Sequence, residues 1–317
     1  MSTTIFMFPG QSSRYPEMIE KLVRTHPEAA ATVDQASQLL GRDLDAHYRA
    51  ANPGVFATNR DVQVGVFLAN HLHAQLLAAE GVTAAWSLGL SLGEYNHLVH
   101  IGALEFADAL RLVEARGRLY DDAIGGAMVS VFPVDAELVE ETIARLGLGE
   151  RAGIGLYNSP RQQVISGDRA AVEQIVTALE EEVFLEATEI EPRIPMHAPV
   201  FAATGERLGA ELATIAFAVP RLPYVPNTRA QIITTPSAPL IRTCLVEHVS
   251  QPVRWRTSVE AVAAQVEDPI FVEVGPKSVL YNMFGRGWTP GARQRTDVAT
   301  GWPEHVQAIA KELARAG

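Results

Sequence analysis

Apolar positions along the chain fall either in short continuous runs or in longer stretches with helical spacing. Thr3 to Phe8 is a run closed by Pro9-Gly10, which predicts a buried strand stopped by a turn. The segment from about Pro16 to Leu40 carries helical spacing. From Asp61 to Glu80, Val62, Val66, Ala69, His73 and Leu76 recur at three- and four-residue steps, predicting a long amphipathic helix that Gly81 ends. Ala84 to Leu88 is a second short run, leading into Gly89-Leu90-Ser91-Leu92-Gly93 and a further helical pattern. Ala103 to Ala123 predicts another amphipathic helix, with Gly125-Gly126 after it. Strand and helix in alternation predict a mostly parallel sheet covered by helices.

From Ala127 to Arg193 the rhythm changes. Strands are predicted at Met128 to Val131, Gly153 to Tyr157, Gln163 to Ser166 and Phe184 to Ile190, with helices at Ala136 to Leu146 and Ala170 to Glu181. That βαββαβ order is the ferredoxin-like pattern. The expected fold class is therefore α/β. An α/β-hydrolase-like large subdomain with a parallel sheet (residues 1–126 and 194–317) carries an inserted ferredoxin-like small subdomain (residues 127–193). The Pro-rich stretch from Val219 to Pro239 reads as ordered loop with short strands.

Composition adds limits. A chain of 317 residues exceeds one minimal core, and 47% hydrophobic with 20% charged residues is ordinary for a packed globular protein. The single cysteine, Cys244, permits no intramolecular disulfide, so a reducing, cytoplasmic setting is expected. The segment from Met1 to Phe8 lacks the basic and long apolar regions of a signal peptide, and no apolar run suits a bilayer. Lys plus Arg number 26 and Asp plus Glu 37, a net charge of −11 that argues against nucleic-acid or anionic-membrane partners. Arginines still gather locally, at Arg151, Arg161 and Arg169 and again at Arg286, Arg293 and Arg295.

The strongest chemical signal is Gly89-Leu90-Ser91-Leu92-Gly93. A strand feeding a helix through a tight turn pushes the central side chain into a strained, exposed position, and the glycines admit neighbouring backbone. The Ser91 hydroxyl would sit at a helix N-terminus, with the Leu92 N–H as an oxyanion donor. The competing reading is a Gly-Ser loop without chemistry. His71 and His73 lie on different helix faces, His97 and His100 lack a third ligand nearby, and Cys244 suits an inert buried position. No metal site is expected.

Further segments accompany this elbow: Phe8-Pro9-Gly10-Gln11-Ser12, Tyr157-Asn158-Ser159-Pro160 with Val164-Ile165-Ser166-Gly167, Pro252-Val253-Arg254-Trp255, and Phe271-Val272-Glu273-Val274-Gly275-Pro276. In this order they resemble the malonyl-CoA:acyl-carrier-protein transacylases and the acyltransferases of polyketide synthases. Gly93-Glu94-Tyr95-Asn96 is most similar to the discrete members that serve polyketide assembly lines in trans.

The resemblance implies Ser91 as nucleophile, His197 as general base and the Gln11 and Leu92 amides as oxyanion hole. It further implies the His248 carbonyl as the group orienting the base, Arg116 as the grip on a malonate carboxylate, and Gln63 near the pocket. Taken alone, His197 reads as a structural histidine and Arg116 as a helix-surface arginine. The implied substrates are thioesters of coenzyme A or of carrier-protein phosphopantetheine, with no metal or redox cofactor. The implied partners are acyl carrier proteins and malonyl-CoA. Carrier proteins are typically acidic, so docking would use a local basic patch drawn from Arg151, Arg161, Arg293 and Arg295.

Three positions depart from the family pattern: Leu90 replaces a usual His, Tyr120-Asp121 a frequent Met-Gln, and Met196 a frequent Phe. All three fall where the acyl group should lie. They favour a larger acyl unit, such as the aminoacyl or dipeptidyl groups that some stand-alone relatives in macrolactam pathways carry, whereas Arg116 favours malonyl. Two other classes compete. A thioesterase or serine hydrolase of the Gly-x-Ser-x-Gly type predicts an Asp or Glu between Ser91 and a late His. A non-catalytic carrier-docking module would not need Ser91 and His197 together.

Overall fold

A computed structural model describes residues 2–123, 125–285, 287–298 and 302–316, so Met1 and Arg286 of the sequence reading lie outside the described residues. Four strands, β1 (Thr3–Phe8), β2 (Trp86–Gly89), β7 (Pro269–Glu273) and β8 (Ala292–Arg295), form a parallel sheet in the order β2-β1-β7-β8. Ile5 to Phe8 are buried because helices cover both faces, which explains the continuous apolar run. The crossover from β1 to β2 runs through the helix Asn59–Ala79, which Thr58 caps by accepting the Asp61 N–H.

Several expected boundaries shift for local reasons. Pro27 cannot continue a helix, so the Pro16 to Leu40 region becomes two helices, Glu20–Thr25 and Pro27–Leu40. The second strand starts at Trp86, opposite Ile5, rather than at Ala84. The helix expected from Ala103 starts at Phe106, because the Ala103 N–H closes the preceding helix on the Leu98 carbonyl. The Pro-rich stretch is ordered loop as expected. Its expected short strands reduce, among the described residues, to one bridge between Tyr224 and Ile233.

The second sheet holds β3 (Gly126–Phe132), β4 (Ala152–Ser159), β5 (Gln162–Asp168) and β6 (Glu186–Glu191), antiparallel in the order β4-β5-β3-β6. With helices Ala136–Leu146 and Arg169–Glu182, capped by Asp135 and Asp168, it realises the ferredoxin-like order. One face packs these helices through Val131, Ile165, Val172 and Leu179. From the other, Met128, Leu156 and Val164 join the core of the parallel sheet. Main-chain bonds from Val253 to Gly155 and from Tyr157 to Val253 tie the two units together. Phe184, expected to open β6, is instead exposed before it.

Asn70, fully buried on the crossover helix, donates to the Pro9 carbonyl and to Asn96 Oδ1, both at 3.0 Å. Asn96 in turn donates to the Phe67 carbonyl at 3.0 Å. These bonds hold the turn after β1 against the helix after β2. Asn70→Ala strands two buried acceptors, so its unfolding free energy in urea should fall by about 2–4 kcal/mol. A loss under about 1 kcal/mol would mean that the turn is held by other contacts.

Candidate active site

The elbow forms because β2 must turn into the helix Gly93–His100 within three residues. A Cβ on Gly93 would stand 2.0 Å from the Phe8 carbonyl oxygen, and one on Gly89 2.1 Å from the Gly93 oxygen, so both positions require glycine. Ser91 is left at φ +51°, a conformation costing of order 1–3 kcal/mol for a residue with a side chain. Asn227 holds it there. Its Oδ1 accepts the Ser91 N–H at 2.8 Å and its Nδ2 donates to the Gly89 carbonyl at 2.7 Å.

His197 faces Ser91 from the segment after β6, with Nε2 2.8 Å from the serine Oγ. It too has positive φ, +63°, and its N–H donates to the Val249 carbonyl. Its Nδ1 lies 2.7 Å from the His248 carbonyl, which can only accept, so Nδ1 carries the proton and Nε2 is free to take one. Burial, with Arg116 second, pushes His197 down to about 3, leaving a neutral imidazole. The Gln11 and Leu92 N–H groups donate to no other group among the described residues. A base, a hydroxyl and two amides without internal partners can move an acyl group through a serine ester.

The cleft at Ser91 holds about 50 Å³ and lies between the two sheets. Leu90, Met196, Met128, Leu156 and Ile190 form its apolar wall, and Arg14 and Glu191 also reach it. Leu90 and Met196 thus meet at the cleft. Gln63 and Arg116 do not line it. Arg116 is buried, donates to Gln63 Oε1 at 2.6 Å, and lies 4.3 Å from the Tyr120 ring centroid and 5.5 Å from that of Tyr95. Its Nε and Nη2 have no hydrogen-bond partner among the described residues.

The four arginines suggested for docking divide into two pairs. Arg151, on the small sheet's side, is paired with Asp168, while Arg161 is exposed with no ion pair among the described residues. Arg293 donates to the Tyr281 and Phe284 carbonyls and Arg295 to Ser278 Oγ, both over the Tyr281 ring. Their guanidinium groups are therefore only partly available.

Sequence reasoning named the His248 carbonyl but missed Asn227, which sits in a Pro-rich loop without periodicity, and the buried contacts of Glu94 with Tyr224 and with the His248 ring. Cys244 is buried, and its thiol is pushed up to about 12 by that burial. His97 contacts Ser87 Oγ and the Val225 N–H, and His71 stacks on Phe106. No cluster of three or more metal-type ligands occurs among the described residues, and no helix among them is long and apolar enough to cross a membrane.

A serine elbow on a parallel sheet, faced by a histidine that a main-chain carbonyl orients, defines an α/β protein shaped for attack on an acyl carbon. The chain matches the acyl transferase domain family over residues 5–311 and belongs to it. It is an acyltransferase. It is 32% identical over 290 residues to the malonyl CoA-acyl carrier protein transacylase of Escherichia coli K12, covering 90% of this chain and 93% of that one. It is 29% identical over 287 residues to polyketide synthase GfsB of Streptomyces halstedii, covering 88% of this chain but 5% of that protein. Among solved structures, the malonyl CoA-acyl carrier protein transacylase of Coxiella burnetii superposes with a TM-score of 0.90 at 27% identity over 98% of both chains. A malonyl-transacylase in complex with a type II PKS acyl-carrier protein gives 0.89 at 28% identity, over 98% of this chain and 100% of that one.

Asn227→Ala removes both brackets on the elbow. The misplaced hydroxyl should lower the rate of serine acylation by roughly 100-fold, with the fold retained. A rate within about threefold of the parent, read by stopped-flow thiol release, would mean that the elbow holds its own geometry.

Proposed function

We propose that the protein transfers an acyl group onto the phosphopantetheine thiol of an acyl carrier protein through an ester on Ser91. The observation that carries this reading is the 2.8 Å contact between Ser91 Oγ and the neutral His197 Nε2. In acylation the Oγ–H bond breaks and the proton moves to Nε2. Oγ bonds to the thioester carbon while the carbonyl electron pair moves onto oxygen, held by the Gln11 and Leu92 amides. Each such donor is worth about 3–4 kcal/mol in the transition state. Collapse breaks the C–S bond, and the proton returns from His197 to sulfur. The acceptor thiol then runs the same steps in reverse. Residues 1–126 and 194–317 supply nucleophile, base and oxyanion donors in this reading, and residues 127–193 supply the facing wall.

The base is oriented by a carbonyl rather than by an Asp or Glu, which disfavours the hydrolase reading. For the acyl group, Leu90 and Met196 in the apolar wall carry the first reading, an aminoacyl or dipeptidyl unit delivered by a carrier protein, for which the side chains around the cleft of about 50 Å³ must move apart. Malonyl from malonyl-CoA is the second reading. It is favoured by the two unpartnered donors of buried Arg116 and by the relatives named as malonyl transacylases.

Intact mass after mixing with malonyl-CoA, and separately with an aminoacylated carrier protein, separates them. We expect an adduct from the aminoacyl carrier that Ser91→Ala abolishes. An adduct from malonyl-CoA alone would make the chain an extender-unit loader and assign Arg116 its carboxylate. An adduct persisting in Ser91→Ala would refute the serine ester.

For carrier docking, Arg161 is the most available of the four arginines. Arg161→Glu should raise the KM for the carrier about tenfold and leave transfer to free pantetheine unchanged. An unaltered KM there and in Arg151→Glu, Arg293→Glu and Arg295→Glu would remove this surface from the account.

A further inference from the structure

Behind His197 lies a second buried histidine with a carboxylate on it. The His248 ring stacks on the His197 ring, centroids 4.8 Å apart and 26° between planes. Glu94 Oε2 lies 3.2 Å from His248 Nδ1, within ion-pair distance but outside hydrogen-bond geometry, and Glu94 Oε1 accepts the Tyr224 O–H at 2.5 Å. Both Glu94 and His248 are almost fully buried, and Glu94 stands three residues after the nucleophile on the helix that Ser91 opens.

This arrangement answers a charge problem. When His197 takes the serine proton it becomes an imidazolium whose Nδ1–H meets a neutral carbonyl. No carboxylate lies within ion-pair distance of His197 among the described residues, and Arg116 already disfavours the cation. A buried positive charge without a counter-charge is costly. We propose that the Glu94–His248 pair supplies it: the Glu94 carboxylate, acting through the stacked His248 ring, stabilises the imidazolium and holds His197 in position. Glu94 is thus a positioning residue of the transfer step. The pair neither gains nor loses a proton over the cycle, since the serine proton goes to His197 and returns to the leaving sulfur.

Glu94 is faced by Tyr224 and the Asn227 N–H from the Pro-rich loop, by His248 and Cys244 from the helix Ala238–Ser250, by Arg116, and by Tyr95 on its own helix. Burial raises its carboxyl to about 8, while the Tyr224 and Asn227 bonds and the Arg116 charge act to lower it. Burial, then His197 and Arg116, holds His248 well below the usual imidazole range. The ionised Glu94 that stabilises His197⁺ therefore grows in population as pH rises through about 8.

The inference rests on the Ser91–His197 reading, and the experiment keeps the two apart. Single-turnover acylation is followed from pH 6 to 9.5 with malonyl-CoA, or with a glycyl N-acetylcysteamine thioester if only that acylates, counting active sites by mass. The parent rate should rise through pH 8. Glu94→Gln keeps the shape and an acceptor for Tyr224 but not the charge. Above pH 8 it should acylate roughly 10- to 100-fold more slowly at unchanged KM, without the rise, and approach the parent rate toward pH 6. His248→Gln keeps the main-chain carbonyl and should reproduce this, with little further loss in the double variant; it carries the test if Glu94→Gln does not fold. Tyr224→Phe, which removes a bond favouring the carboxylate, should move the rise to higher pH. Glu94→Gln or His248→Gln keeping both the parent rate per active site and the rise would overturn the proposal. If Ser91→Ala still acylates, the serine reading itself fails; if it is silent while the Glu94 and His248 variants behave as the parent, only this inference fails.

Discussion

Everything at this site depends on holding one serine in a conformation that its backbone resists. The strain at Ser91, φ +51°, is of order 1–3 kcal/mol, and it is held from three sides. Gly89 and Gly93 let the strand, the turn and the Phe8 carbonyl close to distances no side chain would permit. Asn227 bridges the Ser91 N–H and the Gly89 carbonyl. The Leu90 N–H, donated to the Phe8 carbonyl at 3.0 Å, ties the turn to the central strand. Each of these bonds contributes about 1 kcal/mol, so together they match the strain. The hydroxyl is fixed where the helix amides begin.

The facing histidine is held by the same kind of device, a positive φ with main-chain bonds on either side. Its imidazole is neutral because burial and Arg116 act in the same direction. That makes it an available base, but its cation then needs support from the surroundings. The small sheet contributes differently. Met128, Leu156 and Ile190 close the cleft with apolar surface, and the Gly155–Val253 and Tyr157–Val253 bonds fix the distance between the walls. Keeping water from a serine ester is a packing problem, and this wall is its solution in our account.

Much of this was legible in the sequence. Short apolar runs and helical spacing located β1, β2, the small sheet and the helices as far as Glu181, and the Gly-x-Ser-x-Gly elbow pointed to Ser91. β7, β8 and the helices after residue 194 carry no comparably clean pattern and were not placed. Boundaries slipped where a single residue decided them, as at Pro27 and at Ala103, whose N–H was already committed to Leu98. The position of Arg116 was legible but not its surroundings. Its guanidinium bonds Gln63 and lies over two tyrosines rather than on the cleft wall, and that depends on packing across three helices. Asn227 and the Glu94–His248 pair escaped for the same reason. They act through contacts between residues 130 or more positions apart, and no local pattern marks them.

The account's central claim is that the Ser91 ester passes to a thiol and resists water. The direct measurement is its partition: form the acyl-enzyme, remove excess donor, and follow intact mass in buffer alone and with a holo acyl carrier protein. We predict an adduct that persists in buffer and disappears on addition of the carrier, as the carrier gains the same mass. Equal decay with and without carrier, releasing free acid, would contradict the claim and make the protein a hydrolase.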